Sequence, residues 1–347
     1  MTASAPAGVV VRPSTAADLP AIAALWNRAI GDRYPIDAEV LATVLERNPS
    51  RRRGDSLVAS VGDDLIGFAY LTIQRLPDPE LAAEREAAHL QAVVVDAGWR
   101  RQGLGRRLTE QLLSSAAREG RTRIEAGSGF FYLWPGVPTD LDDGEPFVRA
   151  IGLEPGSLSF DLRGDVSGIV VGPAERAALA RAELSVGRLL PDEADALLRY
   201  LLVEFGAEWW HDIRWALDEG LDPAAIVVLR TADGSLVGHA RIHRPADRPL
   251  GPPLFWRARR GSGAGGLGPI GVARRFRGQG LGRALLVAAL AELRSEGATD
   301  VVIDFTTLLD FYGPVGFRPW MTFRHAGAPT ARVRAALARG ASPDSAR

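Results

Sequence analysis

Two short apolar runs, LQAVVVD at 90–96 and LGPIGVA at 267–273, read as buried strands. A few polar and glycine-rich residues follow each run. A stretch of helical period comes next, TEQLLSSAAREG from 109 and LVAALAELRSEG from 286. Both stretches close on a glycine, Gly120 and Gly297, where a helix C-cap is expected. Upstream, LIGFAYL (65–71) and LVGHARI (236–242) each set Gly and then Ala inside a strand pattern. Downstream, RIEAG (123–127) and VVIDF (301–305) predict one further strand apiece.

These elements come in pairs because the chain is written twice. RRQGLGRRL at 100–108 and RGQGLGRAL at 277–285 differ only at their second and eighth positions. A repeat this long is not a solenoid. It predicts two tandem α/β domains with mixed (α+β) sheets, at 1–162 and 184–326, joined by a connector at 163–183. The tail at 327–347 is rich in Ala, Arg, Pro and Ser and reads as flexible or helical.

Composition narrows the chemistry. All 41 basic residues are arginine, which excludes a Schiff-base or P-loop lysine. There is no cysteine, so disulfides, thiolate metal sites and cysteine nucleophiles are excluded too. The formal net charge of −1 offers no field to draw the chain onto nucleic acid or an anionic membrane. The N-terminal residues do not read as a signal peptide, and no apolar run is long enough to span a bilayer. A soluble cytoplasmic protein is the expectation; the oligomeric state is not legible.

The repeated loop carries the candidate chemistry. Val272, Arg277, Gly278, Gln279, Gly280, Leu281, Gly282 and Arg283 describe a strand end, a polar turn and glycines that open a helix. The first-turn amides of such a helix lack intrahelical partners and sit at the positive end of its dipole. Glycine lets a bulky anion reach them, so this is a pyrophosphate cradle. Val95, Arg100, Arg101, Gln102, Gly103, Leu104, Gly105 and Arg106 repeat it in the first half. A Walker loop needs a lysine, and a dinucleotide fingerprint needs GxGxxG where this chain has GxGxG. The remaining pattern is Arg-x-x-Gly-x-Gly.

With this loop the chain resembles the GNAT acetyltransferases. The resemblance implies that the loop holds the pyrophosphate of acetyl-CoA, the co-substrate, and that the preceding strand pairs with the pantetheine arm. FYGPVGF at 311–317 is similar to the family's F-Y-x-x-x-G-F segment, which makes Tyr312 the candidate acid for the departing thiolate. GGLGPIGV (265–272), VIDFTTLLDFYGPVGF (302–317) and YLWPGVPTDL (132–141) resemble tandem members of the glucosaminide acetyltransferase type. That narrower likeness implies a small amine acceptor such as an amino sugar. An aminoglycoside, a polyamine and a peptide amine are the other acceptors considered, and a non-catalytic acyl-CoA sensor is the rival reading.

Acyl transfer to an amine needs a base, an oxyanion donor and an acid. Asp304 is the favoured base, with Glu204, Glu208 and a water chain as rivals, and a turn cap as its bland alternative. The backbone amide near Val272 is the expected oxyanion donor. Pro269 cannot donate to a ladder, so its strand is expected to bulge or splay and open a wedge for pantetheine. The first half departs from the pattern: counting back from Gly152 puts Val148 where Tyr312 stands and Phe147 where Phe311 stands. That half is therefore expected to be non-catalytic, although Tyr132 is a possible substitute acid.

Other residues have bland readings. Trp209, Trp210 and Trp215 are a stacking platform or, more commonly, packing. His239 and His243 share a strand face, expected to be polar. The WPGVP loop at 134–138 shapes an acceptor site or seals a domain interface, with the interface favoured.

Overall fold

In the computed structural model, which describes residues 8–339, the first half of the chain opens with β1 (Val10–Pro13), α1 (Leu19–Ile30) and α2 (Ala38–Leu41). The strands β2 (Ser56–Val61), β3 (Asp64–Ile73) and β4 (Ala87–Val95) follow, then α3 (Leu104–Arg118) and β5 (Arg123–Ala126). It ends with β6 (Val137–Pro138), α4 (Gly144–Ala150) and β7 (Glu154–Asp165). The second half contains α5 (Pro173–Arg181), β8 (Ser185–Arg188), α6 (Ala194–Phe205), α7 (Ala207–Asp218), β9 (Ile226–Arg230) and β10 (Leu236–His243). It continues with β11 (Ala264–Val272), α8 (Leu281–Ser295), β12 (Asp300–Thr306), α9 (Leu309–Tyr312), β13 (Arg318–Pro329) and α10 (Thr330–Arg339).

Contacts divide the chain into two compact units. The first takes the chain up to Ser159 and again from Thr322 onward; the second is Phe160–Met321. Each unit therefore takes its last strand segment from the other half of the sequence. The boundaries expected at 162/163 and 326/327 fall inside strands, β7 and β13. Strand pairing explains the difference: Asp165 to Leu162 pair with Asp300 to Ile303 of β12, and Ala326 to Pro329 pair with Ala126 to Arg123 of β5. The expected connector carries α5, which packs on α8 and β8. The expected tail carries the end of β13 and α10; its residues 340–347 lie outside the described residues.

The first unit's sheet runs β1–β2–β3–β4–β5–β13, with β6 also on β13. All its pairs are antiparallel except β4–β5. Leu104, Leu108, Leu112 and Ala116 recur at i, i+4 and form the buried stripe that seats α3 on β2, β3 and β4. The second unit runs β7–β12–β11–β10–β9–β8, again with one parallel pair, β11–β12. β10 is buried from Val237 to His243 because α8 and α6 both pack on it. Among the described residues no helix is long and apolar enough to cross a membrane.

Candidate active site

The second unit opens where Pro269 predicts it. β11 pairs with β12 only from Ala264↔Asp300 to Leu267↔Ile303. On its other side β11 shifts register against β10 between Leu267 and Ile270. Pro269 has no N–H to give either neighbour. The Gly268 carbonyl just before it accepts the His243 Nε2–H at 2.7 Å. A bulge thus peels β11 away from β12 and leaves a wedge.

Asp304 is the first residue of β12 beyond the paired stretch. Its Oδ1 stands 3.2 Å from the point a Cβ on Gly268 would occupy, so the carboxylate reaches across the split. Tyr312 ends α9, buried, with its ring 4.8 Å from Phe311 and 6.4 Å from Phe317. Burial pushes its phenol above the ordinary range, and the Asp304 charge pushes the same way. The two residues proposed from sequence as acid and base are therefore electrostatic neighbours.

The Arg-x-x-Gly-x-Gly loop has one geometry in both units. Arg277 Nε donates to the Val272 carbonyl at 3.0 Å, as Arg100 Nε does to Val95. Gly280 and Gly103, each preceding its helix, have φ of 79° and 80°. The first helical bonds are Ala284 N to Gly280 O and Arg107 N to Gly103 O. The amides of Leu281, Gly282 and Arg283, and of Leu104, Gly105 and Arg106, thus precede the ladder and remain available to an anion. Side chains in the loop have other work. Gln279 and Gln102 bond back to the Arg275 and Gly98 carbonyls, and Leu281 and Leu104 are buried anchors. Arg283 pairs with Glu175 at 3.1 Å; Arg106 donates to the Leu337 carbonyl at 2.8 Å. The loops differ at one left-handed position, where Gly278 (φ 76°) matches Arg101 (φ 61°), the latter ion-paired with Asp143.

Phe311 and Phe147 hold equivalent places, as counted from sequence. Each lies about a van der Waals contact from the Cβ position of the glycine in the adjoining helix, 3.4 Å at Gly282 and 3.5 Å at Gly105. Val148, in the place of Tyr312, is buried. The first unit holds a cleft of about 640 Å³ lined by Val93, Arg100, Gly103, Gly105, Phe147 and Val148. The insert after β5 packs into this unit's own core. Trp134 stacks on Trp26 at 5.1 Å, meets Tyr34 edge-on at 5.2 Å, and donates its Nε1–H to the Gln91 carbonyl at 2.6 Å. Tyr132 is half-buried in the same insert.

Several expectations resolve into packing. Glu204 accepts the Arg274 N–H at 2.8 Å and caps the turn before the loop. Glu208 lies in the first turn of α7. Trp209 stacks on Phe205 at 4.6 Å, and a Cβ on Gly271 would fall 2.4 Å from Phe205. Only glycine lets the α6–α7 junction press so close to β11. Trp210 carries Arg214 over its ring, and Trp215 packs partly buried on the core. The face of His239 and His243 is not polar but fully buried: α6 and α7 cover His239 with Tyr200, Phe205 and Trp209, while His243 packs against Gly251 and the Gly268 carbonyl. One buried neighbour of Asp304 in the fold carried no sequence signal. Asp161 on β7 is 4% exposed and accepts the Phe305 N–H at 3.0 Å beside Asp304.

The family model described as the acetyltransferase (GNAT) family matches residues 20–129 and 193–317, one stretch in each half. A mycothiol acetyltransferase of Thermobispora bispora is 28% identical over 297 residues, covering 82% of this chain and 87% of that protein. Among solved structures, a glucosamine N-acetyltransferase region in a fungal multi-domain GH3 beta-N-acetylglucosaminidase aligns over 93% of this chain, with a TM-score of 0.83 and 23% identity. The chain spans 38% of that longer protein. A tandem GNAT protein from the clavulanic acid biosynthesis pathway aligns over 93% of this chain and 98% of its own, with a TM-score of 0.63 and 19% identity. At these identities the solved structures speak for the fold. Acetyl-CoA is the co-substrate of the matched family in general. With a cradle in each half, a wedge beside it and matching sequence across more than half its length, the chain belongs to the GNAT acetyltransferase family and is an acyltransferase.

Proposed function

We propose that the second unit transfers acetyl from acetyl-CoA directly to the primary amine of a small polar acceptor such as an amino sugar. The observation that carries this reading is the Asp304 carboxylate reaching over the split between β11 and β12, with the buried Tyr312 near enough to feel its charge. Asp304 takes a proton from the attacking amine. The backbone amide near Val272 donates to the developing oxyanion, and Tyr312 returns a proton to the departing thiolate. The first-turn amides from Leu281 to Arg283 receive the pyrophosphate. The acceptor class is supported by the names of the mycothiol acetyltransferase relatives and of the glucosamine N-acetyltransferase region.

The first unit, on this reading, binds acetyl-CoA without turning it over. Its loop and its cleft of about 640 Å³ favour binding. Val148 in place of the acid, and Trp134 on the bulge carbonyl of Gln91, oppose turnover. A thiol-release assay with a panel of amino sugars, aminoglycosides, polyamines and peptide amines tests the whole reading. Amine-dependent release with amino sugars is expected. A protein that binds CoA yet releases no thiol with any amine would make the chain a binding module instead.

A further inference from the structure

Strand β12 is irregular where it enters the wedge. Ile303 pairs with Leu162 and Thr306 with Phe160, so Asp304 and Phe305 together face the single residue Asp161 on β7. Two residues against one make a β-bulge, a device that re-aims a side chain at the cost of regular pairing. Phe305 absorbs the extra length with φ 47°, a left-handed conformation that a bulky side chain holds only where its surroundings enforce it.

Asp161 supplies that enforcement. Its carboxylate is buried, and Oδ1 accepts the Phe305 N–H at 3.0 Å, across 144 residues of sequence. The residue beside Phe305 in the same bulge is Asp304, whose Oδ1 reaches over the split to within 3.2 Å of the Cβ position at Gly268. The two carboxyl groups feel each other. Burial and the Asp304 charge raise the proton affinity of Asp161 well above the usual carboxylate range, against the opposing pull of the Phe305 N–H and Arg260.

We propose that Asp161 is a positioning residue for the acyl transfer: through the Phe305 amide it holds the β12 bulge that carries Asp304 into the wedge. The proposal rests on the reading of Asp304 as the proton acceptor. It assigns a part in the second unit's chemistry to a residue that precedes the expected connector and lies outside both matched regions of sequence.

The test compares four variants of the full chain in steady-state acetylation, with calorimetric CoA binding as the measure of folding. Asp304→Asn decides the underlying reading. Asp161→Ala removes the acceptor oxygen, and kcat is expected to fall on the order of 10- to 100-fold while acetyl-CoA KM holds within about threefold. Asp161→Asn keeps an acceptor oxygen and should recover most of that loss. Asp161→Ala with Phe305→Gly should recover part of it, because glycine holds a positive φ unaided. Were Asp161→Ala insoluble, Asp161→Ser, whose hydroxyl is too short to reach the amide, replaces it. An inactive Asp304→Asn beside a fully active Asp161→Ala would overturn the positioning role and leave the base reading intact. Equal losses in Asp161→Ala and Asp161→Asn would overturn it as well. A fully active Asp304→Asn would bring down the base reading, and the positioning role with it.

Discussion

Trp134 Nε1 donates to the carbonyl of Gln91, at 2.6 Å, on the bulge of β4 that corresponds to the Gly268 bulge of β11. In the second unit the matching carbonyl accepts from His243, a residue of the sheet itself. In the first it accepts from an inserted loop whose indole stacks on Trp26. Truncation to Ala removes a buried ring, which in cores costs about 3–5 kcal/mol. Trp134→Ala is thus expected to lower the unfolding midpoint clearly while the folded enzyme keeps its turnover. In a Tyr312→Phe background it should reveal no new activity, since Val148 offers no proton. Turnover appearing there would assign chemistry to the first unit.

Tyr312→Phe should lower kcat by about 10²- to 10⁴-fold, the range for loss of a general acid. Acetyl-CoA KM should change little. Because burial and Asp304 raise the phenol above its ordinary range, Tyr312 stays protonated throughout neutral and mildly alkaline pH. The kcat profile should therefore show no alkaline fall below pH ~10, the ordinary tyrosine value. A fall with its midpoint near pH 8 would remove the assigned role.

Gly280 and Gly103 hold positive φ at the mouths of their cradles. A valine at either costs roughly 1–2 kcal/mol of backbone strain and brings a branched side chain to the anion's approach. Gly280→Val should abolish turnover, whereas Gly103→Val should lower the CoA stoichiometry from two sites to one with turnover kept. Titration calorimetry alongside the thiol-release assay separates the two. Loss of turnover in Gly103→Val alone would reverse the assignment of the halves.

His239 is fully buried inside Tyr200, Phe205 and Trp209, and among the described residues neither ring nitrogen has a hydrogen-bond partner. Burial lowers its pKa from 6.5 to about 3. The unfolded chain therefore takes up a proton that the folded chain refuses. The stability this group contributes is complete above pH 6.5 and is lost progressively as pH falls toward 3. His239→Leu should flatten the acid loss of the unfolding midpoint across that window, with little change above pH 7. An unchanged slope would mean that the buried imidazole is not what titrates.

Much of the site was legible locally. The glycine loop, the helix it opens and the split at Pro269 are set by residues within a few positions of one another. Short-range φ preferences and missing N–H groups act the same way in a chain that has not yet folded. Phe311 and Phe147 could be matched by counting because both pack on a glycine of a neighbouring helix, at a spacing the repeat preserves. His239 and His243 misled for the opposite reason. Their alternation was read as one face, but its cover comes from distant segments, α6 and α7 over His239 and the chain around Gly251 over His243, on which a strand pattern is silent.

What the sequence by itself determined is the repeat, the Arg-x-x-Gly-x-Gly loop in each half and the presence of a tyrosine at the Tyr312 position in only one of them. Only the tertiary structure decided which strands complete each unit, that Trp134 sits on the Gln91 carbonyl, and that Asp161 holds the Phe305 amide. The physical reason is range. Periodicity and turn chemistry are written between near neighbours, whereas a hydrogen bond across 144 residues exists only once two distant strands have paired.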